Sequence, residues 1–372
     1  MRHARSIQAL LTLLPLAAAC GAPPPEADPP AAPRRALRHE APGAVADLLA
    51  WTPDGALAIA DGDTGAIRET AKTLDLGGGR DVAYDPWTGR AVVLEAGGPS
   101  HGEVASYAVA GGQGLGPRTP LASKTGDGRL LPTSLGVAVL GDGTWRMIFP
   151  GGAPGASAKG PPPMSAWVTE DAKGLALHAL AYGPSSGEID TARAALGPAS
   201  IGRAAVTPFD ADAGTVPPST RVVPAPQRGG ALLLDVAGSF LSVRSVAGAT
   251  AGPPSRAPLG AAGMRIESAV ALMGGEVVVA LLSGQTRVVA LEVDGDLAIA
   301  SMAEAALPGD PTPSTRFLSH DLVAQGPGRV AAATSAGVFS LEVTNDAAGV
   351  HLALDPAFDG SALRGPLDAV PR

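Results

Sequence analysis

Three short stretches of the 372-residue chain place side chains at spacings that could do chemistry. Gly183-Pro184-Ser185-Ser186-Gly187 fits the G-x-S-x-G pattern, in which a tight strand-to-helix turn exposes a serine for nucleophilic attack. Leu175–Tyr182 before it reads as a strand and Glu188–Leu196 after it as a candidate short helix. That local context permits Ser185, with His320 or His351 as its base. The wider chain opposes it: strands and long helices do not alternate, no His-Gly oxyanion segment lies upstream, and Pro184 precedes the serine. A plain hairpin turn is expected there, and no catalytic residue is assigned.

Asp61-Gly62-Asp63-Thr64-Gly65 and Asp210-Ala211-Asp212-Ala213-Gly214 have the D-x-D-x-G spacing of acidic loops. Calcium needs about six to eight oxygens. Neither loop supplies a third acidic position, and the first reads better as a turn between strands. His39, His101, His178, His320 and His351 are scattered, with no H-x-x-x-H pair and no cysteine partner. His178 sits in an apolar strand and reads as a core or hairpin residue. Gly111-Gly112-Gln113-Gly114-Leu115-Gly116 matches neither a phosphate loop nor a dinucleotide fingerprint. No metal ligand and no cofactor site is expected. Trp51, Trp87, Trp145 and Trp167 lie in or beside predicted strands and turns, as packing residues or as exposed interface anchors.

The elements that must position these residues are short strands. Seven hairpins recur along the chain: Ala46–Trp51 with Ala56–Ala60, Asp81–Tyr84 with Arg90–Glu95, Leu135–Leu140 with Thr144–Phe149, Leu175–Tyr182 turning at Gly183–Gly187, Ala231–Val236 with Ser239–Val246, Ser268–Leu272 with Glu276–Leu282, and Leu322–Ala324 with Arg329–Thr334. Further strands follow at Glu103–Val109, Arg287–Val293, Val338–Val343 and Val350–Leu354. An interval of roughly 45 residues is that of one propeller blade. Radial repetition leaves only short, protected sheet edges. The fold expected is all-β, a single β-propeller of about seven blades, with six or eight as alternatives and tandem sandwiches as the competing architecture. Proline- and glycine-rich stretches at 150–163, 208–230, 248–263 and 305–315 read as surface excursions between strands.

Two turns, Asp61-Gly62-Asp63-Thr64-Gly65 and Asp85-Pro86-Trp87-Thr88-Gly89, share the form D-x-x-T-G. In them the chain resembles the broad class of bacterial β-propellers with degenerate repeats, over about residues 41–356. There is no G-H…W-D signature of a WD40 repeat.

The N-terminus carries a different signal. A basic head, Met1-Arg2-His3-Ala4-Arg5, precedes the apolar run from Ala9 to Ala19, and Cys20, the only cysteine, follows at once. The run is shorter than the ~20 apolar residues a transmembrane helix needs, and its length and small-residue end suit a cleaved signal. Leu16-Ala17-Ala18-Ala19-Cys20 resembles the bacterial lipoprotein lipobox, with Ala17 where that family prefers a larger aliphatic residue. The resemblance implies that residues 1–19 are removed and that Cys20 carries the lipid. Gly21, rather than Asp, points in that family to the outer membrane of a diderm cell envelope. The alternative is an ordinary secretory signal with an incidental cysteine. Residues 22–36 hold six prolines in fifteen positions. Fully extended as polyproline II those fifteen residues span ~45 Å, and they make 20–40 a tether before a propeller over 41–372.

Without Arg2 and Arg5 the chain has 25 basic and 35 acidic residues, a net charge of −10. A distributed acidic surface argues against nucleic acid as a partner. The expected function is a lipid-anchored, monomeric envelope module that binds another envelope protein or a glycan. A propeller enzyme or ligand binder, lactonase-like or glycan-active, using the central funnel is the alternative.

Overall fold

The computed structural model describes residues 45–74, 81–96, 102–109, 114–123, 128–141, 143–148, 154–161, 163–171, 174–183, 189–197, 200–211, 219–225, 230–247, 249–311 and 320–372. The signal, Cys20 and the tether, with Ser185, His39, His101, Gly111–Gln113 and Asp212–Gly214, lie outside them. The described chain is all-β. It forms seven antiparallel sheets arranged as a seven-bladed β-propeller, and its only helical element is a 3-10 turn at Met273–Gly275.

Each blade is numbered by its place in the ring and given from its inner strand outward. Blade II is Asp81–Asp85, Arg90–Ala96, Gly102–Val109 and Leu115–Ser123. Blade III is Gly128–Thr133, Gly136–Gly141, Thr144–Ile148 and Pro154–Lys159. Blade IV is Pro163–Asp171, Gly174–Tyr182 and Ile189–Gly197, its outer edge shared by Ser200–Ile201 and Ala205–Pro208. Blade V is Arg221–Ala225, Gly230–Ala237 and Phe240–Ala247, with Thr250–Ala251 and Ser255–Pro258 outside. Blade VI is Arg265–Leu272, Val277–Ser283, Arg287–Val293 and Ile299–Ala306. Blade VII is Leu322–Gly326, Arg329–Thr334, Gly337–Asp346 and Gly349–Leu354.

Blade I closes the ring. Its outer strands, Asp47–Trp51, Leu57–Ala60 and Ile67–Ala71, come from the start of the described chain, and its inner strand, Arg364–Val370, from the end. Asp47 pairs with Val370 and Trp51 with Arg364.

Every blade has two covered faces, so its middle strands are apolar on both sides and read as continuous hydrophobic runs. Leu49 and Trp51 point into the I–II interface, while Leu48 and Ala50 between them point into VII–I. Seven separate hydrophobic clusters result, one at each blade interface. The VII–I seam is built largely of alanine: Ala50, Ala58, Ala60, Ala331 and Ala333.

Each of the seven hairpins read from the sequence falls in a different sheet. Two expectations need correction. Ile189–Gly197 is a strand, not a helix. The stretches 150–163, 208–230 and 248–263 are not only excursions, because they contain Pro154–Lys159, the buried inner strand Arg221–Ala225, and Ser255–Pro258. An inner strand leaves one edge unpaired along the channel, so it tolerates a residue with no N–H. Pro132, Pro163, Pro224 and Pro366 all sit in inner strands, and such prolines made these segments look like loops.

Candidate functional site at the channel mouth

The inner strands are clasped to their neighbours by side chains that bond across to backbone. Asp368 Oδ2 accepts the Tyr84 N–H at 2.6 Å, joining blade I to II. Asp81 Oδ2 accepts the Leu130 N–H at 2.6 Å, joining II to III. Ser165 Oγ accepts the Val222 N–H at 2.8 Å and donates to its carbonyl at 3.1 Å, joining IV to V. Arg221 Nε donates to the Glu267 carbonyl at 3.2 Å, joining V to VI. Gln325 Nε2 donates to the Gly62 carbonyl at 3.2 Å, joining VII to I. Asp81 meets Leu130, Ser165 meets Val222 and Arg221 meets Glu267, each early in its inner strand, while Asp368 meets Tyr84, both late in theirs, so the strands run in step. Their first residues therefore gather at one end of the channel, and the turns that follow them at the other.

At the first end, residues from four blades converge. His320, at the head of blade VII, places Nδ1 2.8 Å from Oδ1 of Asp81 in blade II. Its own carbonyl accepts the Leu367 N–H of blade I at 2.7 Å. Arg129 of blade III brings a guanidinium nitrogen to 4.0 Å from the same Asp81 oxygen. The Asp81 side chain is fully buried, whereas those of His320 and Arg129 are 28 % and 15 % exposed.

Burial works against a charge on His320, but the attraction of Asp81 outweighs it and raises the imidazole pKa above 6.5. Burial pushes Asp368 up to about 6, against the pull of the Tyr84 N–H and of His320. The arrangement is a carboxylate holding one imidazole nitrogen, with a cation beside it. A carboxylate against one imidazole nitrogen is the kind of pairing from which a general acid or base can be built. Among the described residues, no three His, Cys, Asp or Glu side chains are placed to hold a metal ion.

Of these residues, only His320 stood out in the sequence, as one of two candidate bases for Ser185. Asp81, Arg129 and Asp368 had no local signal, because a lone acid or arginine at a strand end is common and the ring alone brings them together. The other two described histidines are placed apart. His351 pairs with Asp346 on the surface at 3.2 Å. His178 stacks on Trp167 at a centroid distance of 5.3 Å and shares a hydrogen bond with Thr169.

The opposite end carries the D-x-x-T-G turns. Asp85 accepts the Trp87 N–H and the Thr88 hydroxyl, and the Gly89 N–H returns to the Asp85 carbonyl at 2.9 Å, with Gly89 at φ +63°. Asp61 repeats this with Asp63, Thr64 and Gly65. The acidic loop is a strand turn whose carboxylates meet arginines: Asp61 pairs with Arg68 and Arg372, and Asp63 with Arg372. Burial works to raise the Asp61 pKa, but Arg68 and the turn N–H groups hold it well below the usual carboxylate range. Three tryptophans are core residues, with Trp51, Trp145 and Trp167 at most 4 % exposed, while Trp87 is 56 % exposed on its fixed turn.

No family model matches the chain, and no curated protein does. Solved propellers do. A protein of unknown function from Desulfotomaculum acetoxidans is similar at 10 % identity and a TM-score of 0.62, over 88 % of this chain and 99 % of its own. A proposed 6-phosphogluconolactonase from Bacteroides uniformis is similar at 13 % identity and a TM-score of 0.61, over 88 % of this chain and all of its own. The periplasmic gluconolactonase of Pseudomonas aeruginosa is similar at 15 % identity and a TM-score of 0.56, over 88 % of this chain and 99 % of its own. At these identities the likeness is one of fold.

Proposed function

We propose that this chain is a binding module of a bacterial cell envelope, anchored through a lipid on Cys20 and docking a partner on the face that carries Trp87. One observation carries the reading. Trp87 is more than half exposed, on a turn tied by hydrogen bonds from Trp87, Thr88 and Gly89 to Asp85. An exposed aromatic side chain on a backbone held in this way is the kind of anchor on which binding energy concentrates, because the backbone loses little conformational entropy when the residue is covered. The acidic chain favours a protein or glycan partner over nucleic acid. The test is copurification of the tagged protein from its native envelope beside Trp87→Ala and Cys20→Ser. The reading expects one stoichiometric partner that Trp87→Ala loses, and expects Cys20→Ser to leave the membrane fraction. A partner retained by Trp87→Ala would remove the docking face from the proposal.

A second reading is favoured by the His320–Asp81 pair: a lactonase-like or glycan-active propeller working at the channel mouth. The names of two structural neighbours lean the same way, towards lactones.

A further inference from the structure

We propose that His320 is the general base of the channel mouth, acting on water to open a small carboxylic ester or lactone, with Asp81 as its positioning residue. The inference rests on the second reading and gives it residues and a substrate class.

The Asp81 carboxylate cannot turn freely. Its Oδ2 is held by the Leu130 N–H at 2.6 Å and its Oδ1 faces His320 Nδ1 at 2.8 Å. A carboxylate on Nδ1 selects the tautomer protonated there and leaves the lone pair on Nε2. Among the described residues Nε2 has no hydrogen-bond partner, and the side chain is 28 % exposed beside a fully buried acid. Arg129 approaches the same oxygen at 4.0 Å and is 15 % exposed. One cation beside two carboxylates, Asp81 and Asp368, offers little to a phosphoryl group, which spreads several negative charges. It suits acyl transfer, in which a single oxyanion develops.

Water adds to the carbonyl carbon while its proton passes to Nε2. The tetrahedral intermediate then collapses, the carbon–oxygen bond to the leaving group breaks, and the imidazolium returns the proton to the departing alkoxide. Ester or lactone plus water gives hydroxyl and carboxylic acid, with no other reactant.

The test follows hydrolysis of glucono-1,5-lactone and p-nitrophenyl acetate by the full chain, His320→Gln and Asp81→Asn. Asparagine keeps an oxygen for Leu130, and the melting temperature of each variant verifies its fold. Expected are a wild-type kcat/KM that rises with pH as His320 loses its proton, a loss of about 100-fold or more in folded His320→Gln, and a rise displaced to lower pH in Asp81→Asn. If wild type hydrolyses a substrate and folded His320→Gln does so equally well, the role of His320 is overturned while the second reading stands. If wild type hydrolyses neither substrate, the proposal falls together with the lactonase-like form of the second reading.

Discussion

His320 and Asp81 belong to blades VII and II, with blade I between them, yet Nδ1 and Oδ1 are 2.8 Å apart. Blade I is where the two ends of the described chain meet, so the pair spans the closure of the ring. Asp368, on the closing strand itself, reaches Tyr84 of blade II beside it. The protonation of two side chains is therefore linked to the closure.

Stability falls as pH rises through the neutral range. Both His320 and Asp368 bind protons more tightly in the folded state, His320 above its ordinary 6.5 and Asp368 up to about 6. The His320 contribution is fully present below 6.5 and is lost as pH passes its raised folded value. For Asp368 the folded state is penalised as the group ionises above about 4. The two slopes share a sign, so the melting temperature drops as pH rises from about 4 to 6 through Asp368 and onward past 6.5 through His320. Asp368→Asn, whose amide oxygen still accepts the Tyr84 N–H, flattens the acidic part of that drop. A melting temperature that climbs across this range contradicts the linkage.

Arg372 latches the closing strand from outside. It reaches Asp47, Asp61 and Asp63 at 2.8, 3.2 and 2.6 Å, and the Asp47 side chain is fully buried. Arg372→Ala leaves Asp47 with Arg68. A loss of about 1–2 kcal/mol is expected, moderated by the partial exposure of the arginine. Urea unfolding midpoints measure it, and a shift no larger than that of a surface control would show the latch to be idle.

Two glycines of one turn motif should behave differently. Gly89 and Gly65 both sit at positive φ, +63° and +73°. Alanine at Gly89 meets open space, so only the left-handed conformation is penalised, by about 1 kcal/mol. Alanine at Gly65 would also place its Cβ 2.4 Å from the Asp359 carbonyl oxygen. Gly65→Ala is therefore the more damaging by a clear margin in denaturant titrations, and equal costs would refute the crowding argument.

The tryptophans divide in the same way. Trp145 is fully buried in the III–IV interface, with its Nε1–H on the Pro161 carbonyl at 3.0 Å. Trp145→Ala should cost about 3–5 kcal/mol. Trp87→Ala should change stability by less than about 0.5 kcal/mol. Calorimetry of the two variants separates a packing residue from a displayed one.

The repeating strands were legible because they are local. Apolar runs such as Val277–Ser283, buried on both faces, and the D-x-x-T-G turns, which bond within themselves, are dictated by neighbouring residues. All seven blades announced themselves through at least one such hairpin. Inner strands were harder to see. Arg221–Ala225 carries a proline that an unpaired channel edge accepts, and nothing near Arg364–Val370 says that it pairs with Asp47–Trp51. Strand pairing across some 300 positions depends on ring closure rather than on any property of the segment. The candidate site lay further still from view. The sequence by itself determined the strands, their turns and the all-β class, since backbone propensity and alternating burial act over a few residues. Only the tertiary structure decided that His320, Asp81, Arg129 and Asp368 would meet. Electrostatic contact depends on distance in space, and the closed ring alone brings the heads of separate blades to one mouth.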